Sequence, residues 1–175
     1  MLLAIAARDN LFLTEFDVKA AFLNADLKTP TYVSLPPELF KVEDVVWLLM
    51  KSLYGLKQAA RIWYEEYTAW VIKNGHKRSK WDHCMFVMRW YVNQEEHIII
   101  SICHVDKIIT AGTSKGDIDD FHRMLQRKWI ITRKDDPTSV LGIHLQRNDD
   151  GSMTLLQDGY LNKLMREEGL KNCTQ

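Results

Sequence analysis

The sequence carries no excess of charge of either sign: 23 Lys and Arg stand against 23 Asp and Glu in 175 residues, a formal charge of zero. Phosphate affinity comes mainly from cationic side chains, so this balance argues against a strongly basic nucleic-acid binder. It leaves room for local basic stripes, of which Lys73, Lys77, Arg78 and Lys80 form one and Arg123, Arg127 and Lys128 another. Cysteine is scarce: Cys84, Cys103 and Cys173 are odd in number and not closely spaced. That pattern argues against a disulfide framework and makes a reducing intracellular compartment the default. There is no long apolar run either. Ile98 to Ile102 is interrupted by Ser101 and is far too short to cross a membrane. The apolar start, Met1 to Ala7, is ended at once by Arg8 and Asp9. It lacks a cationic leader and a polar cleavage region, so it reads as a helix rather than a signal peptide. Internal repeats and low-complexity segments are absent too.

What is present suits one soluble globular domain: 46% apolar and 26% charged residues, enough for a real core. Residues 1–9 read as the end of a helix, Leu11 to Asp17 as a strand, and 18–26 as a compact turn or short helix. Tyr32 to Leu35 and Val45 to Met50 read as a strand pair, the first stopped by Pro36-Pro37. Gln58 to Asn74 is a helix, with Ile62, Glu66 or Tyr67, Trp70 and Val71 as its apolar stripe and Asn74-Gly75 as its stop. Met85 to Val92 and His97 to His104 are strands joined by Asn93-Gln-Glu-Glu, and Lys107 begins the next strand. Ser114 caps a helix running to Lys128, with Asp117 three residues on, close to a capping box. A hairpin over Asp149-Asp-Gly pairs Val140–Gln146 with Met153–Leu156, and a helix closes the chain from 158. Strand pairs separated by helices predict an α+β fold, an antiparallel sheet backed by helices on one face.

Two aspartates stand out by position. Asp17 ends one apolar strand and Asp106 follows another. On spacing alone such residues are more often turn residues than ligands of a shared metal, since a two-metal site needs several carboxylates to converge.

The longer motifs change that balance. Phe16-Asp-Val-Lys-Ala-Ala-Phe-Leu-Asn24 resembles the first catalytic motif of copia-type retrotransposon reverse transcriptases. Ser52-Leu-Tyr-Gly-Leu-Lys-Gln-Ala-Ala-Arg61, followed by Trp63-Tyr64, resembles their template and nucleotide-contact motif. His104-Val-Asp-Lys107 falls where that family has an aromatic-Val-Asp-Asp hairpin, and Leu141-Gly-Ile143 resembles its later strand near the primer. The resemblance implies a palm-like antiparallel sheet backed by helices, RNA-directed DNA polymerase chemistry and Mg²⁺ as cofactor. It implies Asp17, the Val18 carbonyl and Asp106 as metal ligands, with Asp17 and Asp106 catalytic. It implies Phe22 as the aromatic that excludes a ribose 2′-hydroxyl, and Tyr54, Gly55 and Lys57 as positions near nucleotide and template. Within one domain over 1–175, it places palm and partial fingers at about 1–50 and 58–80. The catalytic hairpin and following strands then take 84–157, and a C-terminal helix takes 158–175.

Three departures qualify that implication. Lys107 replaces the last aspartate of the motif, Ala60 stands where proline is usual, and the family's fingers segment, expected upstream of Met1, is not in the sequence. The chain therefore reads as a truncated copy with weak or absent Mg²⁺ binding and no polymerase activity, retained as a binding or interaction protein. The alternatives are an active fragment of a longer polyprotein and a non-catalytic nucleic-acid-binding module. An ammonium beside Asp17 and Asp106 would offset their mutual repulsion and compete with a metal; the bland alternative is that Lys107 points into solvent. With the fingers missing, Leu2, Leu3 and Ile5 are expected to lie open or to be covered by a second copy or another protein.

Weaker signals complete the reading. His83, Cys84, Cys103 and His104 sit at neighbouring strand ends and are types zinc accepts. Adjacent strand residues face opposite sides, so Cys84 and Cys103 read instead as core. The tryptophans at 47, 63, 70, 81, 90 and 129 read mostly as core, with an occasional exposed stacking platform for a base. Arg133-Lys-Asp-Asp136 reads as a solvated loop.

Overall fold

Alternation of apolar residues builds this fold, because successive side chains of a strand face opposite ways and each face of the main sheet finds its own cover. The computed structural model describes residues 1–35 and 45–169. Along the chain come α1 (Leu2–Arg8), β1 (Phe12–Val18), a 3-10 turn (Ala21–Asn24), β2 (Asp26–Ser34), β3 (Val46–Lys51) and α2 (Ala59–Lys73). Next are β4 (Lys77–Arg78), β5 (Met85–Val92), β6 (Glu95–His104), β7 (Lys107–Gly112) and α3 (Lys115–Gln126). The last are β8 (Ile131–Asp135), β9 (Ser139–Val140), β10 (Ile143–Arg147), β11 (Met153–Leu156) and α4 (Asp158–Glu167). The predicted stop at Pro36-Pro37 and the end of the predicted C-terminal helix, from 170, lie outside the described residues.

Six strands form the main sheet in the order β4-β5-β6-β7-β1-β8, and each of its neighbouring pairs is antiparallel. A three-stranded sheet, β11-β10-β9, and a two-stranded ribbon, β2-β3, complete it. The α+β expectation holds. The expectation that helices back only one face does not. On one face α2 and α3 bury Trp63, Tyr67, Phe121 and Leu125 against Phe16, Phe86, Ile99 and Ile108. On the other, Leu2 and Ala6 of α1, with Val140 and Leu145 of the small sheet, cover Leu13, Ile100, Ile109 and Ala111. Leu2 is 3% exposed, and Leu3 and Ile5 are half-buried against the same cluster. They are not an open patch, and the expected copy or partner loses the surface named for it.

Local chemistry sets the element ends. The α2 stripe runs at four-residue spacing through Ala59, Trp63, Tyr67 and Val71; Tyr67 and Val71 are as predicted, while Ile62 and Trp70 flank it half-buried. Ala60 lies exposed in the first turn of α2, where proline and alanine are both accommodated. The β5–β6 turn is tighter than expected: Val92 pairs with Glu95, and only Asn93 and Gln94 bridge, both with positive φ. That is the two-residue turn whose twist matches the strands. The capping box is complete: Ser114 Oγ accepts from Asp117 N and Asp117 Oδ2 accepts from Ser114 N, each at 3.1 Å.

β8 went unread because it is an edge strand with one neighbour, so it shows no apolar alternation. Arg133, Lys134 and Asp135 of the supposed loop lie in it, and Arg133 pairs with Asp119 and Asp135. α4 buries no side chain. Among the described residues no helix is long and apolar enough to cross a membrane.

Gly112 ends β7 beneath Ile118 of α3. A Cβ there would lie 2.8 Å from both Ile118 Cγ1 and Ile99 Cδ1, in the middle of the core. Gly112→Ala is expected to lose about 1–3 kcal/mol, the usual cost of overpacking a filled core. Urea denaturation measures it, and an unchanged midpoint would mean that the α3 packing is looser than described.

Candidate functional site

The β6–β7 turn and the end of β1 meet at one end of the main sheet. Register places Asp17 opposite Lys107, and the Val18 amide donates to the Asp106 carbonyl at 2.8 Å. Asp17 and Asp106 therefore lie on neighbouring backbone segments, Asp17 at the end of β1 and Asp106 in the β6–β7 turn. Glu15, Asp17 and Lys107 share the sheet face of Leu13 and Ile109, opposite the face packed by α2 and α3.

The turn itself is held under strain. Val105 has φ +57, a left-handed conformation that a β-branched residue adopts at a cost of about 1–3 kcal/mol. Trp63 of α2 donates its Nε1–H to the Val105 carbonyl from within the core, and the Cys103 thiol lies 3.7 Å from the same oxygen. The tryptophan that follows the second motif thus anchors the turn carrying Asp106.

Each carboxylate already has a partner within the chain. Lys107 Nζ donates to Glu15 Oε1 at 2.7 Å and lies 3.6 Å from Asp17 Oδ2. The hydrogen bond to Glu15 above all, with the charges of Glu15 and Asp17, pushes the ammonium above its ordinary value against the opposing effect of burial. Lys107 is therefore not a side chain lost in solvent. Its main partner, Glu15, was missed from the sequence, although two residues before Asp17 on a strand means the same face.

Asp106 Oδ2 accepts from the Tyr54 hydroxyl at 3.1 Å. Burial, the hydrogen bond to Asp106 and the charges of Asp106 and Asp17 all push this phenol up, so it keeps its proton to donate. The Tyr54 ring lies on Phe22, with centroids 4.2 Å apart. Phe22 is buried under it at the edge of the core. Gly55 takes φ +96, which suits glycine at the bend, and Lys57 is exposed on the same loop.

The donor set does not fit Mg²⁺ as arranged. An ammonium occupies the neighbourhood of Asp17 and a phenol that of Asp106. Among the described residues no cluster of three or more His, Cys, Asp or Glu side chains offers a metal site elsewhere.

The zinc alternative fares no better on chemistry. Burial pushes the Cys103 thiol up to about 12, whereas zinc binds thiolate. Cys103 is core as expected, but Cys84 is exposed. Of the tryptophans, Trp63 and Trp129 are core, while Trp81 is 92% exposed.

Comparison with known proteins places these features in a family. A model for reverse transcriptase (RNA-dependent DNA polymerase) matches residues 1–175. The chain is 30% identical over 176 residues to the retrovirus-related Pol polyprotein from transposon TNT 1-94 of Nicotiana tabacum, covering 98% of this chain and 13% of that one. It is 29% identical to the Pol polyprotein from transposon RE2 of Arabidopsis thaliana, over 86% of this chain and 10% of that one. It is 38% identical to the transposon Ty1-MR1 Gag-Pol polyprotein of Saccharomyces cerevisiae, over 82% of this chain and 8% of that one. The sequence thus spans a small part of each of these relatives. No solved structure gives a significant match. With the two long motifs lying where the fold brings Asp17, Phe22, Tyr54 and Asp106 to one sheet end, the chain belongs to the reverse transcriptase (RNA-dependent DNA polymerase) family of copia-type retrotransposons.

Proposed function

We propose that this chain is a palm-like reverse-transcriptase region that does not polymerise DNA. The observation that carries the reading is Lys107, whose ammonium bridges Glu15 and Asp17. Polymerase chemistry relies on divalent cations to neutralise charge developing on the attacking and leaving oxygens. An ammonium can balance the carboxylates at rest, but it has no open coordination positions for those oxygens. Asp17, Val18 and Asp106 are the positions at which the family's Mg²⁺ would be held. Phe22, Tyr54, Gly55 and Lys57 are those that would meet nucleotide and template. What remains for such a chain is binding.

Nucleic acid is the partner with some support. Trp81 stands exposed beside the exposed Lys77, Arg78 and Lys80, the pairing of flat aromatic and positive charge that holds a single strand without reading its sequence.

The test is direct. Purified protein with a primed RNA template, nucleotides and Mg²⁺ or Mn²⁺ is expected to show no primer extension. Template-dependent extension that Asp17→Ala abolishes would overturn the reading and make this an enzyme.

A further inference from the structure

Lys107 engages Glu15 and Asp17, on the sheet face that carries Leu13 and Ile109. Asp106 is held by another residue. The Tyr54 hydroxyl donates to its Oδ2, and the Tyr54 ring covers Phe22. One side chain thus engages two of the groups that the proposed reading assigns to cation and nucleotide.

The backbone beneath Tyr54 is tied at both ends. Ser52 N donates to Ala25 O at 2.9 Å, Leu56 N to Leu53 O at 3.2 Å, and Ala59 N to Leu56 O at 3.0 Å. Between these ties Gly55 supplies the bend at φ +96, with no atom within 4 Å of where a Cβ would be. The loop is fixed while the side chain, 56% exposed, keeps room to turn outward. Opening Asp106 is therefore a matter of one rotamer and one hydrogen bond, without loop refolding.

We infer that Tyr54 is a positioning residue that closes the site independently of Lys107: its hydroxyl engages Asp106 while its ring covers Phe22. The inference rests on the reading of Asp17 and Asp106 as the metal positions. It means that restoring the acid at position 107 would leave the site half shut. A cation approaching Asp106 would still have to displace a phenol that donates to that carboxylate.

Four full-length proteins separate the two locks: wild type, Tyr54→Phe, Lys107→Asp and the double variant. Each is titrated with Mn²⁺, following the free aquo ion by electron paramagnetic resonance, after circular dichroism shows that it is folded. Tyr54→Phe keeps the ring on Phe22 and removes only the hydroxyl, so a merely structural role of the ring would not move the reading. Wild type and Tyr54→Phe are expected to bind no Mn²⁺ at millimolar concentration, Lys107→Asp to bind weakly, and the double variant to bind about tenfold more tightly than Lys107→Asp. Equal affinity in Lys107→Asp and the double variant would overturn the role of Tyr54 and leave the reading of the site intact. Binding by neither would overturn the reading of the carboxylates, and this inference with it. Binding by Tyr54→Phe alone would assign the closure to Tyr54 and remove it from Lys107.

Discussion

Trp63→Ala is expected to remove about 3–5 kcal/mol, a large share of the roughly 5–15 kcal/mol that holds a domain of this kind together. Trp63 is 1% exposed and lies edge-on to Trp129 at 5.2 Å, with Tyr67 at 6.2 Å. Its indole also donates to the Val105 carbonyl. Alanine leaves a cavity between α2, Trp129 and the β6–β7 turn, and an acceptor without its donor, and both act in the same direction. Trp63→Phe separates them. It keeps most of the packing and loses the hydrogen bond, so it should cost about 1–2 kcal/mol. Urea denaturation of the two variants measures both. A loss below 1 kcal/mol for Trp63→Ala would show that the aromatic cluster collapses around the gap and does not organise the β6–β7 turn.

Lys107→Asp should turn a protein indifferent to divalent cations into one whose stability depends on them. The new carboxylate would face Asp17 across the strand pair, with Glu15 beside it on the same face. Side chains directly opposite each other in such a pair have Cβ atoms about 4.5–5.5 Å apart, where like charges repel. Glu15 would also lose its ammonium while its side chain is only 13% exposed. Breaking a fully buried pair costs about 3–5 kcal/mol. Lys107 is 36% exposed, and solvent screening reduces the expected loss to about 2 kcal/mol in EDTA. Mn²⁺ at a hundred times its dissociation constant would return about 2.7 kcal/mol. Thermal denaturation with and without Mn²⁺ gives the comparison. A wild-type melting temperature that rises with Mn²⁺, or a Lys107→Asp protein that ignores it, contradicts the account.

The legible parts of the fold were those whose signal is local. α2, the β5–β6 pair and the Ser114 cap each announce themselves within a short stretch of chain, by period, turn residues or capping chemistry. β8 does not, because an edge strand such as Ile-Thr-Arg-Lys-Asp satisfies only one neighbour and leaves its outer side to water. The place of α1 was misjudged for a related reason. Its apolar face is ordinary, and the strands that cover it arrive late in the sequence, so nothing near residue 2 says what it packs against.

At the site, Asp17, Phe22, Tyr54 and Asp106 were all marked by motif, and the fold brings them together. The motif could not tell which partners they would take. Asp106 accepting from Tyr54 is a contact across 52 positions. Glu15, by contrast, was available to strand parity alone and was passed over because it belongs to no motif.

The strand order also bears on how the chain assembles. β5, β6 and β7 are successive hairpins that need only their neighbours in sequence. β1, the carrier of Asp17, lies between β7 and β8, and its contacts join residues 92 and 121 positions apart. Closing loops of that length is entropically costly before any contact repays it, and folding slows accordingly. During synthesis β1 is made long before β7 and β8, the two strands it pairs with in the sheet. The pairing of Glu15 and Asp17 with Lys107 is thus a long-range one, unlike the β5–β6 and β6–β7 hairpins on which Asp106 is carried.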